Sequence, residues 1–117
     1  MLHLSAAVRY YLCTGHTDMR KGFDSLFGIV SSQMALDALS GAVFIFINKR
    51  RTQVKLLLWE GDGLSLYYKR LEKGTYERPA CNETATNTIL TYQQLQFILQ
   101  GVALQKIHYR KRYQKNT

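Results

Sequence analysis

The chain has 117 residues, of which 46% are apolar, and carries sixteen Lys plus Arg against eight Asp plus Glu, a net charge of +8. That length describes one domain able to bury its own core without metal or disulfide support, and the composition excludes disorder. The surplus of cations favours a polyanionic partner.

The N-terminus, MLHLSAAVRYYL, lacks a basic leader region and its apolar stretch is interrupted by Arg9. No secretory signal is expected, and the expected compartment is the cytoplasm. Residues 8–13, VRYYLC, read as a first strand, and the segment around Gly15 as a turn. Thr17 or Asp18 is placed to cap a helix. Its apolar stripe is Met19, Phe23, Leu26, Phe27, Val30 and Met34. Asp37 to Gly41 reads as a loop. Val43 to Ile47 and Val54 to Trp59 then form a hairpin whose tip, Asn48 to Gln53, is basic. Val54, Leu56 and Leu58 alternate with Lys55, Leu57 and Trp59, so both faces of that strand expect cover. The run Ala42 to Ile47 is the longest apolar one and is far too short to span a membrane.

Glu60-Gly61-Asp62-Gly63 is a tight turn into a strand over Leu64 to Leu71. Glu72-Lys73-Gly74 turns again into a strand over Thr75 to Arg78, which Pro79 stops or marks as an edge. Residues 80–88 read as a loop. Thr91 and Gln94 then form a capping box, with Leu90 and Leu95 as its staple, for a helix whose buried stripe is Leu95, Ile98, Leu99 and Val102. Gly101 is placed to end it. The expected fold is α+β: one domain over residues 1–105, an antiparallel meander sheet of four to five strands with two main helices packed on one face. Residues 106–117 form a basic C-terminal tail.

The cations fall in clusters. Arg20-Lys21 in the first turn of a helix would oppose its dipole by ~0.3–1 kcal/mol each, a cost that a bound phosphate or an acidic neighbour would offset. The competing reading is a solvated pair with Arg20 reaching Asp24 one turn on. Lys49-Arg50-Arg51 at the hairpin tip suit phosphate contacts, although basic hairpins also guard against edge aggregation. Lys69 and Arg70, with Lys73 in the next turn, form a third cluster. Arg110, Lys111 and Arg112 lie in a tail interleaved with Tyr109 and Tyr113, either a nucleic-acid arm or a frayed terminus. Trp59, Tyr67 and Tyr68 are expected to pack within the sheet, with the neighbouring Lys69-Arg70 leaving room for one tyrosine of the pair to face a ligand.

Catalytic chemistry is poorly represented. The acids Asp18, Asp24, Glu60 and Asp62 suit turns and helix starts better than a metal cluster. His3, His16 and His108 have no metal-ligand spacing, and Cys13 and Cys81 read as separate reduced, buried thiols. No nucleophile motif, phosphate loop or dinucleotide fingerprint is present, so neither cofactor nor catalytic residue is assigned.

The stretch Tyr11-Leu12-Cys13-Thr14-Gly15-His16-Thr17-Asp18-Met19-Arg20-Lys21-Gly22-Phe23-Asp24 resembles the opening signature of a transposition accessory family, the TnpB-type proteins encoded by the second reading frame of sixty-six-family insertion sequences. The likeness continues through Ser40-Gly41, the basic hairpin, Leu58 to Gly63, Tyr68 to Gly74 and Pro79, and closes on Leu95 to Gly101. It covers about residues 8 to 102. Gln100 stands where an acid is common. The resemblance implies a part in moving a bacterial insertion sequence beside a separate transposase that performs the strand chemistry, and it supplies no catalytic residues. The function expected is non-catalytic, with insertion-sequence DNA bound through the basic clusters. The alternatives are an adaptor docking on the transposase through the Trp59–Tyr68 surface, or a cryptic metal-dependent nuclease. Neither a membrane nor a small-molecule substrate is expected as a partner.

Overall fold

The structure, a computed structural model, describes residues 4–79 and 85–100. Five strands and two α-helices follow in chain order: β1 (Tyr10–Cys13), α1 (Phe23–Gly28), β2 (Val43–Ile47), β3 (Gln53–Trp59), β4 (Leu64–Arg70), β5 (Asn87–Leu90) and α2 (Tyr92–Gln100). One sheet holds all five strands, in the order β4-β3-β2-β1-β5.

The hairpins are where the alternation places them. β2 pairs antiparallel with β3 from Val43↔Leu58 to Ile47↔Val54, and β3 pairs antiparallel with β4 from Gln53↔Arg70 to Trp59↔Leu64. The turn between β3 and β4 closes with Glu60 N–H donating to Gly63 O at 2.9 Å, and Gly61 takes φ +94°, a conformation that strains a side chain. The expectation of a pure meander is corrected by β1. It runs parallel to β2 (Tyr10↔Val43) and antiparallel to β5 (Tyr10↔Leu90), so the sheet is mixed. A parallel neighbour needs a crossover, and α1 lies within it.

Two other strand assignments change. Thr75 to Arg78 is not a strand. Instead the chain folds back beneath the end of the β2–β3 hairpin: Leu71 N–H donates to Thr52 O at 2.8 Å and Tyr76 N–H to Arg51 O at 2.7 Å, and the Tyr76 side chain is fully buried. The buried ring and these two hydrogen bonds hold the segment against the hairpin end. Conversely, Asn87–Leu90, whose residues suggest the end of a loop and the approach to a helix, supplies the outer strand β5.

The helices also occupy opposite faces of the sheet rather than one. Strand alternation divides the core in two. Val43, Ile45, Ile47, Val54 and Leu56 pack with Tyr10, Leu12, Tyr76 and the α2 residues Leu95 and Ile98. Phe44, Phe46 and Leu57 pack with Cys13 and with Leu26, Val30 and Met34. β2, in the middle, is buried at every position, as a strand covered on both faces must be.

The first helix is shorter than its stripe suggests. It begins at Phe23 behind Gly22, with no side-chain cap, and passes into a π-helical stretch over Ile29–Gln33. The second begins as expected: Gln94 N–H donates to Thr91 Oγ1 at 3.0 Å and Thr91 N–H to Gln94 Oε1 at 2.9 Å. Leu90 and Leu95 share one core cluster. Cys13 is buried; Cys81, Gly101, Val102, the boundary at residue 105 and the tail cations Arg110, Lys111 and Arg112 lie outside the described residues. Among the described residues, no helix is long and apolar enough to cross a membrane.

Candidate nucleic-acid interface

A cleft of about 600 Å3 opens where the loop after β1 meets the tip of the β2–β3 hairpin. The loop contributes His16, Asp18 and Arg20, the tip contributes Lys49 and Arg50, and Gln53 of β3 and Tyr68 of β4 complete the wall. Two basic clusters that lie far apart in sequence therefore meet at one site.

Local hydrogen bonds explain how. Thr17, almost fully buried, donates its N–H to Ile47 O at 2.9 Å, which joins the loop to the end of β2. The hairpin tip is organised by Asn48, whose Oδ1 accepts from Thr52 N–H at 2.9 Å and Gln53 N–H at 3.0 Å. Arg51 takes a left-handed conformation, φ +60°, to complete the turn. Arg78 reaches the same point from below, donating to Ile47 O at 3.4 Å and Asn48 O at 3.3 Å.

Lys55 secures the loop from inside the fold. It sits in β3 between the register partners Phe46 and Tyr68. Its side chain is buried, and Nζ donates to Met19 O at 2.8 Å and Lys21 O at 2.7 Å. The same ammonium lies over the Tyr68 ring, 4.6 Å from its centroid. A buried ammonium needs such partners, and here they are two carbonyls and an aromatic face. Reading the sequence alone misses this residue. The available signal is a single lysine in a strand that expects apolar cover on both faces.

Arg20 does not stand in a helix's first turn, nor does it reach Asp24. It precedes α1 and forms a fork with Asp18: Nε donates to both carboxylate oxygens at 3.1 and 3.0 Å and Nη2 to Oδ2 at 2.6 Å. Asp18 also accepts from the Arg20 main-chain N–H at 2.9 Å. These side-chain and main-chain hydrogen bonds from Arg20 hold the pKa of the Asp18 carboxyl down to about 2. The pair is exposed, with 91% of the Arg20 side chain accessible, so the guanidinium keeps open positions toward solvent. Among the described residues, Lys49 and Arg50 stand in no ion pair and are exposed.

The third cluster divides. Strand alternation sends Arg70 to the same face of β4 as Tyr68 and Lys69 to the opposite face. Arg70 lines a smaller recess with Gln53, Tyr68 and Glu72, adjoining the cleft through two shared residues, and lies 3.5 Å from the Glu72 carboxylate. Lys73 is exposed in the turn beyond, and Lys21 is exposed, its carbonyl held by Lys55. Arg51 does not line the cleft. The surplus charge is thus only partly gathered: Arg20, Lys49 and Arg50 converge, Arg70 adjoins them, and Lys69 does not join them.

The aromatics are less buried than packing alone predicts. Trp59 is half-buried, but Tyr67 and Tyr68 are 40% and 51% accessible. A further recess of about 370 Å3 lies beside the start of β1, with Arg9, Tyr11 and Asp37 in its wall, away from the converging cations. Among the described residues no three His, Cys, Asp or Glu side chains stand together as a metal site requires.

The fold and the cleft define a small α+β protein with a cationic recess at one end of its sheet. A family model described as IS66 Orf2 like protein matches residues 8–109, and the chain belongs to that family. It is thereby a transposition-associated accessory protein. Among curated proteins it is similar to the uncharacterized protein y4hO of Sinorhizobium fredii, 34% identical over 102 residues, which span 87% of each chain. It is also similar to the uncharacterized protein y4jC of the same organism, 31% identical over 85 residues, 73% of each. No solved structure matches it.

Proposed function

We propose that this protein serves transposition without catalysing it, by binding insertion-sequence DNA across the cleft between the Asp18–Arg20 loop and the Lys49–Arg50 hairpin tip. The convergence of Arg20, Lys49 and Arg50 on one cleft carries this reading. Arg70 extends the basic surface through the recess it shares with Gln53 and Tyr68, and the exposed Lys21 and Lys73 add to the positive charge. Lys69 and Arg51, which do not line the cleft, add long-range attraction, and the tail residues Arg110, Lys111 and Arg112 contribute further contacts to the DNA. Phosphate neutralisation of this kind releases counterions, so affinity falls steeply with salt.

The test is binding of the full chain to duplexes carrying element ends, titrated across salt. Lys49→Glu with Arg50→Glu should weaken binding and flatten the log–log salt slope by about two, roughly one for each phosphate no longer neutralised. An unchanged slope overturns the reading.

A second reading is supported by β4, an outer strand of the sheet whose residues 67–70 are all exposed. Such an edge suits a protein partner that adds a strand, and the transposase of the same element is the partner the family context suggests. Capture of purified transposase that survives nuclease treatment and is abolished by blocking β4 supports the adaptor role; capture abolished by nuclease supports DNA.

A further inference from the structure

We infer that the cleft takes an unpaired base of single-stranded DNA, stacked on Tyr68, rather than the intact side of a duplex; this rests on the DNA-binding reading and narrows it. Three features of the cleft point the same way. Tyr68 is half exposed on a strand face where its neighbours Leu64 and Leu66 are partly buried, so its ring stands at the boundary of core and solvent. Lys55 backs that ring from within, its ammonium 4.6 Å from the centroid and tied to two carbonyls. A ring held from behind by a fixed cation is pre-oriented, and its electron density is drawn toward the protein. Its outer surface then suits an electron-rich aromatic partner, as a nucleobase is.

The second feature is the mixed charge of the wall. Asp18 lines the cleft among the cations, with both of its carboxylate oxygens engaged by Arg20. That pairing offsets part of the positive charge on this wall and leaves the open guanidinium positions of Arg20 to donate to acceptor atoms on base edges. The loop side of the cleft therefore suits a base edge, while Lys49 and Arg50 on the hairpin side suit the backbone. Gln53 and His16 add further donor and acceptor atoms to the wall.

The third is size. About 600 Å3 lies within the range of small-ligand sites and has room for one nucleobase with its sugar and phosphate. In a duplex both faces of each base are already stacked on neighbours, so only an unpaired or extruded base can lie against the ring. Aromatic platforms beside cationic grooves are the common way of holding single strands.

The experiment is fluorescence anisotropy with the full chain, using a labelled DNA strand of about twelve nucleotides, its duplex, and the RNA of the same sequence. The single DNA strand should bind about tenfold tighter than the duplex or more. Tyr68→Ala should cost roughly 5- to 150-fold for the single strand, the range of one stacked base, with little change for the duplex. Tyr68→Phe, which keeps the ring, should restore single-strand affinity. A strand containing 2-aminopurine reports stacking directly on the unaltered protein, with its emission quenched on binding. Equal affinity for duplex and single strand, an unaffected Tyr68→Ala variant, or unquenched emission overturns the inference while leaving DNA binding in place. Tighter binding of the RNA overturns the assignment to DNA. Binding to none of the three overturns both the inference and the reading beneath it.

Discussion

Strands β2 and β4 flank the same neighbour, β3, yet their surroundings are opposite. β2 is buried at all five positions, whereas β4 is half-buried at its start and exposed from Tyr67 to Arg70. The first holds two core layers apart and leaves no side chain free for a ligand. The second gives up cover and presents an aromatic ring and a cation beside the cleft. Core packing and the exposed polar surface are thus assigned to separate strands of one sheet, and β3 links them through Lys55, whose backbone lies in the core and whose ammonium holds the loop carbonyls of Met19 and Lys21.

The comparison can be broken most sharply at Phe44 of β2. Phe44→Ala should destabilise by about 3–5 kcal/mol, and Leu66→Ala in β4 by less than half as much, since Leu66 is only partly buried. Urea unfolding of both variants checks this, and similar losses would remove the distinction. A smaller effect is expected at the link. Lys55→Met keeps the apolar stem but leaves the Met19 and Lys21 carbonyls without their donor, at about 1–3 kcal/mol. Amide exchange over residues 17–22 should quicken in that variant while exchange in β2 stays slow; a uniform change would deny Lys55 its role as a clamp.

The smallest effect concerns the Asp18–Arg20 fork. Asp18 titrates near 2 in the folded chain, below its ordinary 3.8. A depressed carboxyl stabilises above its unfolded value, and that contribution fades as pH falls through about 2. Both side chains are exposed, so the consequence for stability is slight. Arg20→Gln should return the Asp18 midpoint toward 3.8, followed by carbon-detected NMR titration. A midpoint that stays near 2 would show that the fork is not what holds it.

Much of this arrangement is legible in the residues. The β2–β3–β4 hairpins follow from apolar alternation broken by Asn48 to Thr52 and by Gly61, and the capping box of α2 from Thr91 and Gln94. The remainder depends on long-range partners that no local pattern carries. β5 reads as loop because Asn87 and Thr88 are polar, and only the open side of β1 makes them a strand. The parallel pairing of Tyr10 with Val43 is likewise invisible without the crossover. Arg20 and Lys49 stand out as basic from the sequence, but their meeting depends on Thr17 reaching Ile47 and on Lys55 reaching back to Met19. The division of Lys69 from Arg70 is implicit in strand alternation, although their adjacency in sequence suggests a single cluster.

The placement of β1 bears on how the chain is made. Its two neighbours in the sheet are β2 and β5, the latter near the far end of the domain. During synthesis the strand emerges first and waits with one edge open until Leu90 has left the ribosome. Pairings this distant in sequence close slowly, and an open edge invites association with other nascent chains. Any product cut short before Asn87 would keep that edge permanently, so a truncated copy of this gene should yield aggregates rather than a smaller working protein.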